Sequence, residues 1–139
     1  AQAVSLLGVP QAILETVRAA NLEPVTVLAA VVIIYLVLGC FFDGLSLMIM
    51  TLPIVVPLMV GLGYDAIWLG VIITVMIEIG QVTPPVGLNL SVLVSVTKEK
   101  VSLGEAAMAA MPYWLILLSG VAILTVMPQI ALLLPSKLM

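Results

Sequence analysis

"EIGQVTPPVGLNL" occupies residues 78–90 of a 139-residue chain. It lies inside a long apolar run, yet it carries a carboxylate, two adjacent prolines and two glycines. Pro84 and Pro85 supply no N–H, and each ring clashes with the preceding helical turn. Thr83 and Pro84 each precede a proline, which pushes them out of the helical region. Gly87 then opens conformations that other residues avoid. The stretch therefore predicts a helix interrupted over residues 83–87.

What such an interruption means depends on the solvent around it. The chain is 64% hydrophobic and 8% charged, with a mean hydropathy of +1.39. Soluble domains carry about 45–50% apolar and about 25% charged residues, so the composition points to an all-α integral membrane protein. In lipid, irregular backbone must be buried in protein or line a wet cavity. The freed carbonyls, the Thr83 hydroxyl and the Asn89 amide are hard oxygen ligands suited to a small cation such as Na⁺. The half-helix starting near Val86 aims its positive end at the break, which suits an anionic substrate group. The competing reading is a proline kink that only shapes packing.

The rest of the chain falls into segments around this break. Residues 9–24, "VPQAILETVRAANLEP", are too polar and short to span. Ala12, Ile13, Val17 and Ala20 recur at helical spacing, which predicts an amphipathic interfacial helix over residues 1–24. Residues 25–63 form two apolar arms joined near Asp43 and Gly44. Each arm lies at the short edge of the roughly 17–25 residues a crossing needs, so the arms either span or form a re-entrant hairpin with its tip near residues 39–44. The broken segment covers residues 64–97, longer than one straight crossing. Residues 98–111 read as a cytoplasmic loop and a short interfacial helix, with Ser102 and Glu105 spaced as a capping box. Residues 112–139 read as a final spanner, with Tyr113 and Trp114 at its interfacial end. Lys98 and Lys100 place their loop in the cytoplasm, which leaves Lys137 outside against the positive-inside trend.

Two carboxylates stand out. Asp43 is a solvated loop residue if the arms span, and a carboxylate at membrane depth if they re-enter. Glu78 sits before the break as either a buried brace or a coupling element. Pro53 and Pro57 lie on one helix face and can bend the second arm. Other chemistry has little to stand on. The chain has no histidine and one cysteine, Cys40. An internal disulfide and a Ser-His-Asp or Cys-His arrangement are thereby excluded, and a zinc, haem or iron–sulfur site is not expected. No enzyme is expected. No basic patch points to nucleic acid. The opening "AQAVSLLGVPQAILE" reads as the interior of a longer membrane protein.

The order of these segments resembles the large membrane subunit of TRAP (tripartite ATP-independent periplasmic) transporters, in its C-terminal part. "EIGQVTPPVGLNL" carries the resemblance most specifically, followed by "GCFFDGLSLMIMTLPIVVP" at residues 39–57. The resemblance implies a sodium-driven secondary transporter in a bacterial or archaeal cytoplasmic membrane, importing small organic acids of the C4-dicarboxylate or sialic-acid type. It implies three partners: the remainder of the large subunit, a small membrane subunit, and a periplasmic binding protein that delivers substrate. It also implies an elevator-type fold of two inverted repeats, of which this chain is one. Residues 25–60 would be a re-entrant hairpin and residues 64–97 a broken helix. One Na⁺ would bind between tip and break, with Gly39, Asp43, Thr83, Pro84 and Gly87 as candidate ligands. Thr83, Pro85 and Asn89 would be candidate substrate contacts. Family members often carry asparagine where this chain has Met76. With half of the expected site in the other repeat, the chain alone is not expected to transport. The alternative function is a membrane scaffold or assembly subunit whose broken helix only packs, a choice that upstream sequence would decide.

Overall fold

The computed structural model describes residues 8–84, 86–97, 101–133 and 135–138, and every regular element among them is α-helical. The helices run α1 Val9–Ala19, α2 Pro24–Gly39, α3 Gly44–Gly61, α4 Ala66–Gln81, α5 Leu88–Val96, α6 Leu103–Val126, α7 Gln129–Leu132 and α8 Pro135–Leu138. Lys98 and Lys100, on which the orientation rests, lie outside the described residues.

Local chemistry explains most boundaries. Asp43 and Asp65 cap α3 and α4, accepting the N–H groups of Ser46 at 2.9 Å and of Ile67 and Trp68 at 2.8 and 3.0 Å. Each satisfies backbone donors that a helix start leaves unpaired. The α1 and α3 ends close in the same way, through Asn21 and Gly63 in the left-handed region. Leu22 N–H returns to the Val17 carbonyl, and Tyr64 N–H to the Met59 carbonyl. This six-to-one bond is the Schellman closure. Pro24 opens α2 at its first turn, where a missing N–H costs nothing.

α4 is the centre of the molecule. Trp68, Leu69, Ile72, Ile73, Met76, Ile77, Ile79 and Gly80 are all buried on it. Met76 belongs to this apolar core. Helices α2, α3, α5, α6 and α7 pack around α4. Helix α2 turns Val27, Val31, Tyr35 and Gly39 inward at four-residue spacing, with Leu28 beside them. The arms of the hairpin are tied by the fully buried Tyr35, whose hydroxyl lies 2.5 Å from Thr51 Oγ1. The Thr51 hydroxyl donates to the Leu47 carbonyl at 2.7 Å. Its one proton is thereby committed, so Tyr35 is the donor of the pair. Pro53 and Pro57 sit inside α3 without ending it.

Helix α1 docks against α3. Ile13, Leu14 and Val17 pack on the core, and the Arg18 guanidinium donates to the Gly61 carbonyl at 2.9 Å. The expected interfacial helix is thus clamped to the base of the second arm.

One expectation fails clearly. The short interfacial helix expected within residues 98–111 and the start of the spanner expected over residues 112–139 are a single helix, α6, of 24 residues. Pro112 removes one N–H, but transmembrane helices tolerate such losses. Tyr113 and Trp114 therefore lie about 15 Å along α6, rather than at its end. The helix stops at Val126, ahead of Pro128, and α7 and α8 are single turns beyond it. The capping box is present: Ser102 N–H donates to Glu105 Oε2 at 2.8 Å, and Glu105 N–H to Ser102 Oγ at 3.2 Å. By length and composition, α3 and α6 can cross a membrane, whereas α2 and α4 are shorter apolar helices of 16 residues.

Candidate functional site

The interruption predicted from proline and glycine is where the two halves of the broken segment part. Helix α4 ends at Gln81, one turn before Pro84, and α5 resumes at Leu88. The non-helical stretch thus begins at Val82, slightly earlier than expected, and the second half-helix starts at Leu88, not near Val86. Gly87 caps α5 at φ 50° and ψ 77°, a left-handed conformation that an L side chain adopts only with strain. A Cβ there would also stand 3.1 Å from the Thr83 carbonyl oxygen and 3.3 Å from that of Gln81. These two oxygens, freed from helical pairing, therefore gather beside Gly87.

The hairpin tip meets this break directly. Residues 40–43 connect α2 to α3. The Cys40 carbonyl accepts the Gly87 N–H at 3.2 Å, and the buried Cys40 thiol donates to the carbonyls of Leu36 at 3.0 Å and Pro84 at 3.5 Å. Just behind the tip, α2 and α4 cross at two glycines. A Cβ on Gly39 would fall 2.9 Å from the Gly80 Cα, and one on Gly80 would fall 2.6 Å from the Gly39 Cα. Gly44, on the far side of the tip, leaves room for the Gln81 amide and Ile77.

The candidate residues distribute unevenly around this seam. Gly39 and Gly87 are buried in it. Thr83 is half-buried at its edge, its hydroxyl donating to the Ile79 carbonyl at 2.6 Å. That bond uses the proton and leaves oxygen lone pairs as acceptors. Pro84 is exposed, with its carbonyl on the Cys40 thiol. Asp43 is exposed and caps α3 from the tip. Asn89 is exposed on the first turn of α5. Pro85 lies outside the described residues. Glu78 is exposed in this chain. It lines a groove between α3 and α4.

Three residues of the seam were not anticipated: Cys40, Gly80 and Gln81. Gly80 had only a weak signal, a small residue inside an apolar helix, which Gly70 on the same helix shares without any close approach. Cys40 and Gln81 contribute main-chain oxygens that any residue would supply, beside the Cys40 thiol on the Pro84 carbonyl and the Gln81 amide at Gly44.

A family model described as "Tripartite ATP-independent periplasmic transporter, DctM component" matches residues 1–130. The chain is similar to the C4-dicarboxylate TRAP transporter large permease protein DctM of Vibrio cholerae, 39% identical over 131 residues, covering 94% of this chain and 28% of that one. Its counterpart in Pseudomonas aeruginosa is 40% identical over 130 residues, covering 94% of this chain and 30% of that one. The sialic acid TRAP transporter permease protein SiaT of Haemophilus influenzae is 32% identical over 116 residues, covering 84% of this chain and 18% of that one. The chain thus spans less than a third of the length of these relatives. No solved structure matches.

Proposed function

The chain belongs to the DctM-component family of tripartite ATP-independent periplasmic transporters, and from that premise we propose that its hairpin and broken helix form half of a sodium-coupled transport site. The observation that carries this reading is the seam itself. A hairpin tip and an interrupted helix, far apart in sequence, meet at Cys40 and Gly87 and gather unpaired oxygens there. Backbone of this kind is tolerated at membrane depth where it lines a site.

In this reading α2 and α3 are a re-entrant hairpin. Helix α2 is about 24 Å long, short of the roughly 30 Å hydrocarbon core. One Na⁺ is held between the tip and the break by oxygens from Gly39, Asp43, Thr83, Pro84 and Gly87. The amino end of α5, together with Thr83 and Asn89, takes a carboxylate of the substrate. The substrate is a small organic acid, in keeping with the C4-dicarboxylate and sialic acid named for the relatives. A periplasmic binding protein delivers it, a small membrane subunit stands beside the permease, and the hairpin and broken helix move together across a bacterial cytoplasmic membrane by an elevator motion. The site is completed by the rest of the full-length subunit.

The test is sodium-dependent uptake by the full-length permease with Thr83→Ala. Loss of the hydroxyl acceptor should raise the sodium concentration for half-maximal uptake several-fold while leaving the protein folded. An unchanged sodium dependence in both Thr83→Ala and Gly87→Ala would remove the break from the ion site.

A further inference from the structure

Glu78 is the only charged side chain between Asp65 and Lys98. The transport site described above does not use it, and it lies on the exposed side of a helix whose opposite face is buried. It opens into a groove of about 320 Å³ between α3 and α4, lined by Gly44, Leu45, Met48, Thr74 and Gln81. Leu45, 70% exposed, and Ile49, 58% exposed, continue this face as bare apolar surface. A carboxylate amid exposed apolar side chains at membrane depth faces protein or water, not lipid.

The groove also has a directional polarity. Thr74, Glu78 and Gln81 stand at i, i+4 and i+7, so they form one stripe about 10 Å long on α4. The Thr74 hydroxyl donates to the Gly70 carbonyl at 2.9 Å, which commits its proton and leaves its oxygen as an acceptor. Glu78, when ionised, only accepts, and the Gln81 amide, whose nitrogen lies against Gly44, can both donate and accept. A carboxylate with the Thr74 acceptor one turn away is complemented by a group that donates and carries positive charge. Lysine and arginine are the side chains that fit.

We propose that this groove seats a lysine or arginine side chain presented by a transmembrane segment of the longer subunit to which the chain belongs. The pairing ties α4 and the second hairpin arm to a segment that moves with them. It rests on α4 lying at membrane depth, as proposed above, but not on Na⁺ or on any substrate. The relatives, of which this chain covers 28% and 30%, extend well beyond the matched stretch, so further polypeptide is at hand to supply the occupant.

The experiment uses assembly as its readout, so that a failure of the transport proposal is seen separately. The full-length permease is purified in detergent and its monodisperse yield measured for Glu78→Gln and Glu78→Lys. Charge reversal should cut the yield at least tenfold, and Glu78→Gln should cut it less. Membrane-embedded lysines and arginines of the subunit are then reversed one at a time to glutamate in the Glu78→Lys background. Restoration of the yield by one such reversal, and not by the others, supports the pairing and identifies its partner. A Glu78→Lys permease that assembles normally overturns the proposal, as does a complete scan that restores nothing. A Glu78→Gln permease that assembles normally but loses the pH dependence of its uptake overturns it in favour of proton carriage by Glu78.

Discussion

Gly39 and Gly80 bring α2 and α4 into backbone contact: a methyl group on Gly80 would sit 2.6 Å from the Gly39 Cα and 3.3 Å from the Tyr35 carbonyl oxygen. Between helices in lipid there is little hydrophobic gain, so close packing of small residues and interhelical hydrogen bonds must hold them together. The glycine crossing sets the distance at which the hairpin tip reaches the break.

Alanine at position 39 or 80 must force this crossing apart, because the opposing atoms are backbone and cannot swing away. Overpacking of this kind costs about 1–3 kcal/mol. Both variants are expected to lower the melting temperature of the purified permease. Alanine at Gly70 or Gly120, where an added Cβ meets nothing within 4 Å, should leave it unchanged or slightly raised. Equal effects at all four positions would dissociate the crossing from stability.

Gly87→Ala combines a left-handed backbone with two oxygens beside the new methyl group. The backbone strain alone is about 1–2 kcal/mol. If the break holds an ion, relief of that strain moves the Gln81 and Thr83 carbonyls. The sodium concentration for half-maximal uptake should then rise by about 5- to 30-fold, the equivalent of that energy. Sodium titrations of uptake in proteoliposomes measure this directly.

The Tyr35–Thr51 bond is open to a double-mutant cycle. Tyr35→Phe removes the donor and should cost about 0.5–1.5 kcal/mol. Thr51→Val strands the buried Tyr35 hydroxyl and should cost about 1–3 kcal/mol. The double variant should be less destabilised than the two losses added together, with a coupling of about 0.6 kcal/mol, the average for transmembrane hydrogen bonds. Thermal unfolding of the four proteins gives the coupling, and additivity would show that the hydroxyls do not interact.

Ser102→Ala breaks the capping box at the start of α6. Ser102 and Glu105 satisfy each other's backbone donors there. The cost should be about 0.5–2 kcal/mol, confined to the first turn. Hydrogen exchange of residues 103–106 should accelerate, while sodium-dependent uptake keeps its wild-type half-point.

The sequence by itself determined the local events. Pro84, with Pro85 behind it and Gly87 after it, marked the interruption whatever surrounds it, because a missing N–H and a positive φ are properties of single residues. The Ser102–Glu105 box was equally legible, since its partners lie three residues apart. The boundary expected at residue 112 is absent, because a helix interior absorbs the one hydrogen bond that Pro112 cannot make.

What only the tertiary structure decided is which surfaces meet. Helix α2 is apolar on every side, so nothing in its periodicity separates the buried Val31 and Tyr35 from the exposed Ile33 and Ile34. The same holds for the seam: Cys40 and Gly87 are joined by main-chain atoms, and Gly39 faces Gly80 across 41 positions of sequence. Backbone groups carry no side-chain signature, and a chain whose lipid-facing and protein-facing residues are alike records its fold in shape rather than polarity.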